Sequence, residues 1–408
     1  MEDQNPSSFN RRKFLLNAAK VAGVGAVGYV YFSGYNKDSS DVITSSAGKH
    51  VFLTKPYLFS ISNTAVSVRW ISNKQCLSWV EFGEKKDFGQ KAFSVTNGFV
   101  NANNRLHEVW LENLKPGTKY FYRVLSREIK EFQNEETIAW GETIASDIFS
   151  FSTAAENQQE VNWLVLNDIH DNASSFAHLL KLNKEEQFDF VFLNGDMFDY
   201  IATEEQIIEH LIKPCTDVFA SETPMIFQRG NHEMRGNFNW HLKEYFSGET
   251  KPYFTFQSGP VLVIVLDTGE EMADSGFDLF DAYREKQALW LGKVMQSKEY
   301  NDAIYKVVMM HIPPFHSFDM KGSQHCKKVF SPLFDQYKID LVIAGHTHTY
   351  GIHLPEKDQH KYPIVIGGGP NPGTRTLIKV KASHEQLYLQ MLKDDGSLVG
   401  EYKIKAGR

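Results

Sequence analysis

Val161-Asn162-Trp163-Leu164-Val165-Leu166-Asn167-Asp168-Ile169-His170-Asp171 is the stretch that decides how this chain folds. Its first six residues form an apolar run broken only by Asn162, the pattern of a strand buried on both faces, and the run stops at Asp-x-His. The same arrangement recurs downstream. Phe190-Val191-Phe192-Leu193 ends in Asn194-Gly195-Asp196-Met197-Phe198-Asp199, and Met225-Ile226-Phe227 ends in Gln228-Arg229-Gly230-Asn231-His232-Glu233. Residues 261–266 lead to Asp267-Thr268, residues 305–310 to His311-Ile312-Pro313-Pro314, and residues 341–344 to Gly345-His346-Thr347-His348. Helix-like stretches at 173–182, 204–219 and 284–295 lie between them. Buried strands alternating with helices predict an α/β sheet whose ligands gather at the carboxyl ends of the strands.

The residues at those ends are metal donors. A divalent metal pair needs oxygen and imidazole ligands held at about 2.0–2.2 Å, and strand ends hold side chains more rigidly than free loops. Asp-x-His and His-x-His bring two donors to one turn, while Gly195, Gly230 and Gly345 let backbone approach closely. A carboxylate can bridge two metals about 3.5–4 Å apart, and the second strand offers one for that purpose, Asp196. Each block alone is a weak signal. The ordered set Asp-x-His, Gly-Asp-x-x-Asp, Gly-Asn-His-Glu, His and Gly-His-x-His, each at the exit of an apolar run, is not a product of chance.

Upstream the rhythm has period two. Ala65-Val66-Ser67-Val68-Arg69-Trp70-Ile71 and Leu77-Ser78-Trp79-Val80-Glu81-Phe82 alternate, as do residues 107–111, 118–124 and 148–153. Short alternating strands over roughly 100 residues predict an all-β sandwich with Trp70, Trp79, Trp110, Tyr120 and Tyr122 as packing residues. Trp70 and Tyr120, after Leu114-Lys115-Pro116-Gly117, resemble the core Trp and corner Tyr of a fibronectin type III domain. Downstream, residues 376–405 alternate around Asp395-Gly396, a hairpin signal, and are expected to close the second sheet.

The first fifty residues read as an address. Arg11-Arg12-Lys13-Phe14-Leu15-Leu16 precedes a diluted apolar stretch reaching about Phe32. It resembles a twin-arginine export signal, which implies the twin-arginine machinery as a partner and a bacterial periplasm or cell envelope as destination. The segment is nearly long enough to remain as a membrane anchor. The domain plan is therefore 1–47 signal or anchor with linker, 48–155 fibronectin III-like, and 160–408 catalytic.

Composition narrows the rest. The 408 residues are 42% hydrophobic and 23% charged, enough apolar material for real cores and too polar for a multispan membrane protein. A net charge of −7 argues against a chain that wraps nucleic acid. Cys76, Cys215 and Cys326 form no Cys-x-x-Cys, so neither a disulfide scaffold nor a thiolate zinc site is encoded.

With its blocks in this order, the region from about 160 to 385 resembles a calcineurin-like metallophosphoesterase. With the β-domain in front, the plan is similar to purple acid phosphatases. That resemblance implies a four-layer fold, two mixed β-sheets flanked by helices, and a dinuclear centre. Asp168, His170, Asp196 and His348 would hold one metal; Asp196, Asn231, His311 and His346 would hold the other, with Asp196 bridging. His232 takes the family role of an acid that contacts the phosphoryl group or protonates the leaving oxygen. The cofactors implied are two divalent or trivalent ions, Fe, Zn or Mn, and the substrate a small phosphate ester.

Two positions depart from the purple enzymes. Asp199 stands where they have an iron-binding Tyr, with Tyr200 one residue later, and His170 stands where they have Gly. The tyrosinate is expected to be missing and replaced by imidazole, with Asp199 either holding a ligand or acting structurally. Arg229 could clamp phosphate or form a structural salt bridge, and His316 could line the pocket. The activity expected is phosphomonoester hydrolysis by a metal-bound hydroxide. The alternatives are a phosphodiesterase acting on nucleotides or lipid headgroups, and a non-catalytic envelope binding protein that keeps the fold.

Overall fold

The computed structural model describes residues 48–134, 136–184, 186–246, 251–271 and 279–407; the arginine pair and the rest of the predicted signal lie outside them. Among the described residues no helix is long and apolar enough to cross a membrane.

Two sheets stack face to face. The first contains Glu160–Leu166, Phe190–Asn194 and Met225–Gln228 as parallel neighbours, Leu164 pairing with Val191 and Phe192 with Ile226. The second has six strands in the order Phe254–Ser258, Val261–Leu266, Tyr305–Met310, Leu341–Ala344, Ile364–Ile366 and Gly351–His353. Alternate residues of the apolar runs meet between the sheets: Trp163, Val165 and Phe192 against Val263, Val265, Val307, Met309 and Ile343. The opposite residues face helices. Leu164, Leu166 and Val191 pack on Ser174–Leu180 and on the helical stretch Ile207–Ile212, which Thr203 and Gln206 begin with a reciprocal cap. Ile264, Val308 and Val342 pack on helices Phe280–Val294 and Lys321–Tyr337. Helix, sheet, sheet, helix is the four-layer fold expected, and burial on both faces explains why the strands read as unbroken apolar runs.

The strands before residue 153 enclose a core of their own around Trp70, Tyr120, Tyr122 and Phe151. Trp70 Nε1 donates to Ser126 Oγ at 3.0 Å, and the Tyr120 hydroxyl accepts from the Lys115 N–H at 2.9 Å, so both polar tips are satisfied. Trp110 differs from expectation: it is 44% exposed, on a strand whose opposite face carries Val109 and Leu111 inward. This region is not set apart from the first sheet. Strand Tyr57–Ile61 pairs in parallel with Met225–Gln228 at Phe59 and Met225, making one thirteen-stranded sheet. Thr376–Ser383, Gln386–Lys393 and Leu398–Lys405 also join the first sheet, through Glu160–Leu166, rather than closing the second. Cys76, Cys215 and Cys326 are buried thiols.

Candidate metal centre

All seven predicted donors converge at one end of the two sheets. The turns that bring them there are tight. Five of the seven, Asp168, His170, Asp196, His346 and His348, have φ between +46° and +75°, the left-handed region that Asp and His enter more readily than most side chains. Such strain persists only where the surroundings hold it, and it clusters at functional sites. Gly195, at φ +85°, and Gly230 leave no room for a side chain: a Cβ on Gly195 would lie 2.5 Å from His311 Nδ1, and one on Gly230 would strike Asp196 Oδ1.

The donors fall into two groups that share one carboxylate. On one side, His170 Nε2 is 3.0 Å from His348 Nε2, 3.8 Å from Asp168 Oδ1 and 3.7 Å from Asp196 Oδ2, while His348 Nε2 is 3.4 Å from Asp168 Oδ1. On the other, His311 Nε2 is 3.0 Å from Asp196 Oδ2, and His346 Nδ1 is 2.9 Å from Asn231 Oδ1. Donors bonded to one zinc-sized ion at about 2.0–2.1 Å in tetrahedral array stand about 3.3 Å apart, so these spacings suit a metal in each group. Asp196 Oδ1 accepts the His232 N–H at 2.9 Å, which turns Oδ2 toward both groups. His311 Nε2 is fully buried and faces Asp196 Oδ2 without a well-angled hydrogen bond, a cost that metal coordination would remove.

Charge in the site follows from burial. Burial works to raise the Asp168 carboxyl, but the imidazoles of His170, His348 and His311 outweigh it and hold it well below the usual range. Burial likewise opposes protonation of His170 and His311, and the carboxylates of Asp168 and Asp196 overcome it, pushing His170 up to about 9 and His311 to about 10. The field that draws protons onto buried imidazoles equally draws a metal cation. His232 is lowered, burial outweighing the pull of Asp196.

Neighbouring side chains hold the donors in place. His170 Nδ1 donates to Asp199 Oδ1, and His311 Nδ1 donates to the Asn194 carbonyl at 2.8 Å, each fixing Nε2 as the inward nitrogen. Asn167 Nδ2 donates to Asp168 Oδ2 at 2.6 Å and to the Gly368 carbonyl at 2.9 Å. Glu233 accepts from the N–H groups of Asp196, Met197 and Gly230. Glu271 meets His346 Nε2 and receives the Ser323 hydroxyl. Neither Glu233 nor Glu271 was singled out from the sequence. Glu233 stands inside the Gly-Asn-His-Glu block and could have been found there; Glu271 follows no pattern.

His232, His170, Asp199, His348, Pro370 and Asn371 line an open cleft of about 450 Å3 above the donors. His232 Nδ1 donates to the Asp199 carbonyl at 2.8 Å, and Arg235 Nη1 lies 2.9 Å from its Nε2 while its guanidinium pairs with Glu270. A larger cavity of about 1940 Å3, walled by Phe59, Phe227 and Phe256, contains none of the seven donors. The two expected substrate residues are placed elsewhere. Arg229 Nε donates to Asp267 Oδ2 at 2.7 Å beside the Tyr283 hydroxyl, the structural salt bridge rather than the clamp. His316 turns to His353 and His360 instead of the cleft.

Comparison with known proteins agrees with this geometry. Residues 162–350 match the family described as Calcineurin-like phosphoesterase, and residues 56–153 match the family described as Purple acid Phosphatase, N-terminal domain. Purple acid phosphatase 21 of Arabidopsis thaliana is 24% identical over 320 residues, covering 72% of this chain and 66% of that protein. Purple acid phosphatase of Glycine max is 23% identical over 315 residues, covering 70% and 62%. The chain thus spans just under two thirds of the length of these relatives. Among solved structures, the purple acid phosphatase PPD1 from yellow lupin (Lupinus luteus) superposes with a TM-score of 0.63 at 17% identity, covering 86% of this chain and 74% of that one. PhoD superposes with a TM-score of 0.62 at 11% identity, covering 88% and 92%. These likenesses concern the fold.

Proposed function

We propose that this chain, which carries a calcineurin-like metallophosphoesterase domain behind a purple acid phosphatase N-terminal domain, is a dinuclear metal-dependent phosphomonoesterase of a bacterial cell envelope. The observation that carries the reading is the placement of Asp196 Oδ2, 3.0 Å from His311 Nε2 and 3.7 Å from His170 Nε2, as one oxygen common to both donor groups. Two ions bound there would supply an activated water and offset negative charge on the phosphoryl oxygens. The chain's own residues do the rest. Asp168, His170, Asp196 and His348 would hold one ion, and Asp196, Asn231, His311 and His346 the other. His232, on the cleft wall with Nδ1–H tied to the Asp199 carbonyl and Nε2 facing Arg235, would serve as the acid for the departing oxygen once Nε2 takes up a proton and the Arg235 contact gives way. Arg235 contacts His232 Nε2 from the side of the larger cavity, with its guanidinium held by Glu270.

Metal analysis beside a panel of esters tests this. Two equivalents of metal per chain and faster turnover of an aryl phosphate than of a bis-aryl phosphate are expected, with added Mn or Zn raising the rate. A reversed preference indicates a phosphodiesterase, and a metal-loaded but inert protein indicates a binding role. Export rests on Arg11-Arg12-Lys13 before the apolar stretch. Arg11→Lys with Arg12→Lys should leave the protein in the cytoplasm, and unchanged delivery to the envelope would overturn that placement.

A further inference from the structure

A second cluster of metal-binding side chains lies on the loop after His311 and on the turn before strand Ile364–Ile366, and none of its members belongs to the centre described above. His316 Nε2 is 3.1 Å from His360 Nε2 and 3.5 Å from Glu356 Oε1. These spacings bracket the roughly 3.3 Å that separates donors around one zinc ion with bonds of about 2.0–2.1 Å.

Each donor is aimed by its backbone. Glu356 and His360 are joined by two backbone hydrogen bonds, Glu356 N–H to the His360 carbonyl at 3.0 Å and His360 N–H to the Glu356 carbonyl at 3.2 Å. The pair is fixed before any ion arrives. His316 has φ +57°, a left-handed conformation that turns its ring toward them. The His353 ring stacks on His316 with centroids 3.8 Å apart and planes at 11°. His360 is almost wholly buried, and its Nδ1–H donates to the Tyr362 carbonyl at 2.6 Å. That bond fixes the tautomer whose Nε2 lone pair faces His316, the device by which metal-ligating histidines are commonly oriented.

We infer that His316, Glu356 and His360 bind a third divalent metal, mononuclear and apart from the phosphoesterase centre. Two imidazoles and a carboxylate select a borderline ion, zinc first among those commonly available. Glu356 is the more exposed donor, its side chain 42% accessible, which leaves room for water as a fourth ligand. The ion pins the loop carrying His316 to the turn 356–360, tying together two segments that leave neighbouring regions of the second sheet.

The full chain, equilibrated with excess zinc and desalted, is analysed by mass spectrometry for zinc per protein. Wild type is expected to retain one equivalent more than His316→Asn, Glu356→Gln or His360→Gln. Because the reading is a difference, it does not depend on how fully the centre around Asp196 is loaded. His316→Asn and Glu356→Gln alter partly exposed side chains, so the test stands if the buried His360 variant fails to fold. Equal zinc in wild type and in these two variants would overturn the assignment and leave a hydrogen-bonded histidine pair.

Discussion

His170 Nδ1 donates to Asp199 Oδ1 across 2.7 Å, and this contact keeps the opposite nitrogen facing Asp168 and Asp196. Asp199 is itself held, its N–H donating to Asp171 Oδ2 at 2.9 Å while Asp171 Oδ1 accepts from His210 Nδ1 at 2.7 Å. The Asp199 carboxylate thus orients the His170 imidazole. Asp199→Ala should weaken metal binding about 10–100-fold, and Asp199→Asn, which keeps an acceptor, should recover most of it. Competition against a chromophoric chelator reads the difference; equal affinity in wild type and Asp199→Ala would show that His170 needs no such support.

Tyr200 is 53% exposed and absent from the cleft wall. Iron-loaded protein should therefore lack an intense tyrosinate-to-iron absorption band. Visible spectroscopy of protein purified from its own host checks this, and a strong band in that preparation would require a phenolate among the ligands.

His232 and Asp196 are separable. His232 hydrogen-bonds the shared carboxylate through its own backbone N–H, and its side-chain Nε2 stands farther off, 3.9 Å from Asp196 Oδ2. His232→Ala should lower turnover about 10²–10⁴-fold while metal content stays near wild type. Asp196→Asn should lose metal together with activity, and full metal occupancy in that variant would count against the bridge.

The donors were legible because a strand buried on both faces must read as an apolar run, so the polar residue ending it stands out. Asp168, Asp196, His311 and His346 are all visible in that way. The partners that hold them were not. Arg229 meets Asp267 from a different sheet, a pairing that depends on how the two sheets stack and not on local pattern. The fusion of the β-region with the first sheet rests on Phe59 opposite Met225, which alternation alone cannot reveal. His316 looked like a pocket residue because it follows His311 by five positions; its left-handed φ sends it the other way. Residues 376–405 showed their hairpin but not which sheet edge they would join, since either edge offers the same free backbone groups.

Glu233 shows how much of the site depends on one buried carboxylate. It accepts from Asp196 N–H at 2.9 Å, Met197 N–H at 2.7 Å, Phe198 N–H at 3.3 Å and Gly230 N–H at 2.5 Å, tying the second and third donor turns together. Burial, followed by the charge of Asp196, raises it to about 7. Glu233→Ala strands these donors and should destabilise the protein by about 3–5 kcal/mol, with metal binding impaired in parallel. Glu233→Gln keeps one acceptor oxygen and should cost less. Denaturant unfolding of the two variants measures this, and an unfolding midpoint for Glu233→Ala equal to wild type would refute it.

Acid sensitivity should trace in part to the β-region, far in sequence from the donors. His107 is 2% exposed, packs at a tilt against Trp70, and has Nε2 2.8 Å from Ser72 Oγ. Burial, reinforced by the charges of His50 and Arg105, lowers it from 6.5 to about 3. Above pH 6.5 the ring is neutral in folded and unfolded chains alike, so stability there does not depend on it. Between pH 6.5 and about 3 the unfolded chain takes up a proton that the folded chain refuses, and each pH unit costs about 1.4 kcal/mol. Below about 3 both states are protonated and the slope vanishes. His107→Gln removes the titrating ring, so the stability lost between pH 7 and pH 5 should shrink by about 2 kcal/mol. Urea unfolding of wild type and variant at both pH values decides it: parallel losses would mean that His107 takes up its proton in the folded state as readily as in the unfolded chain.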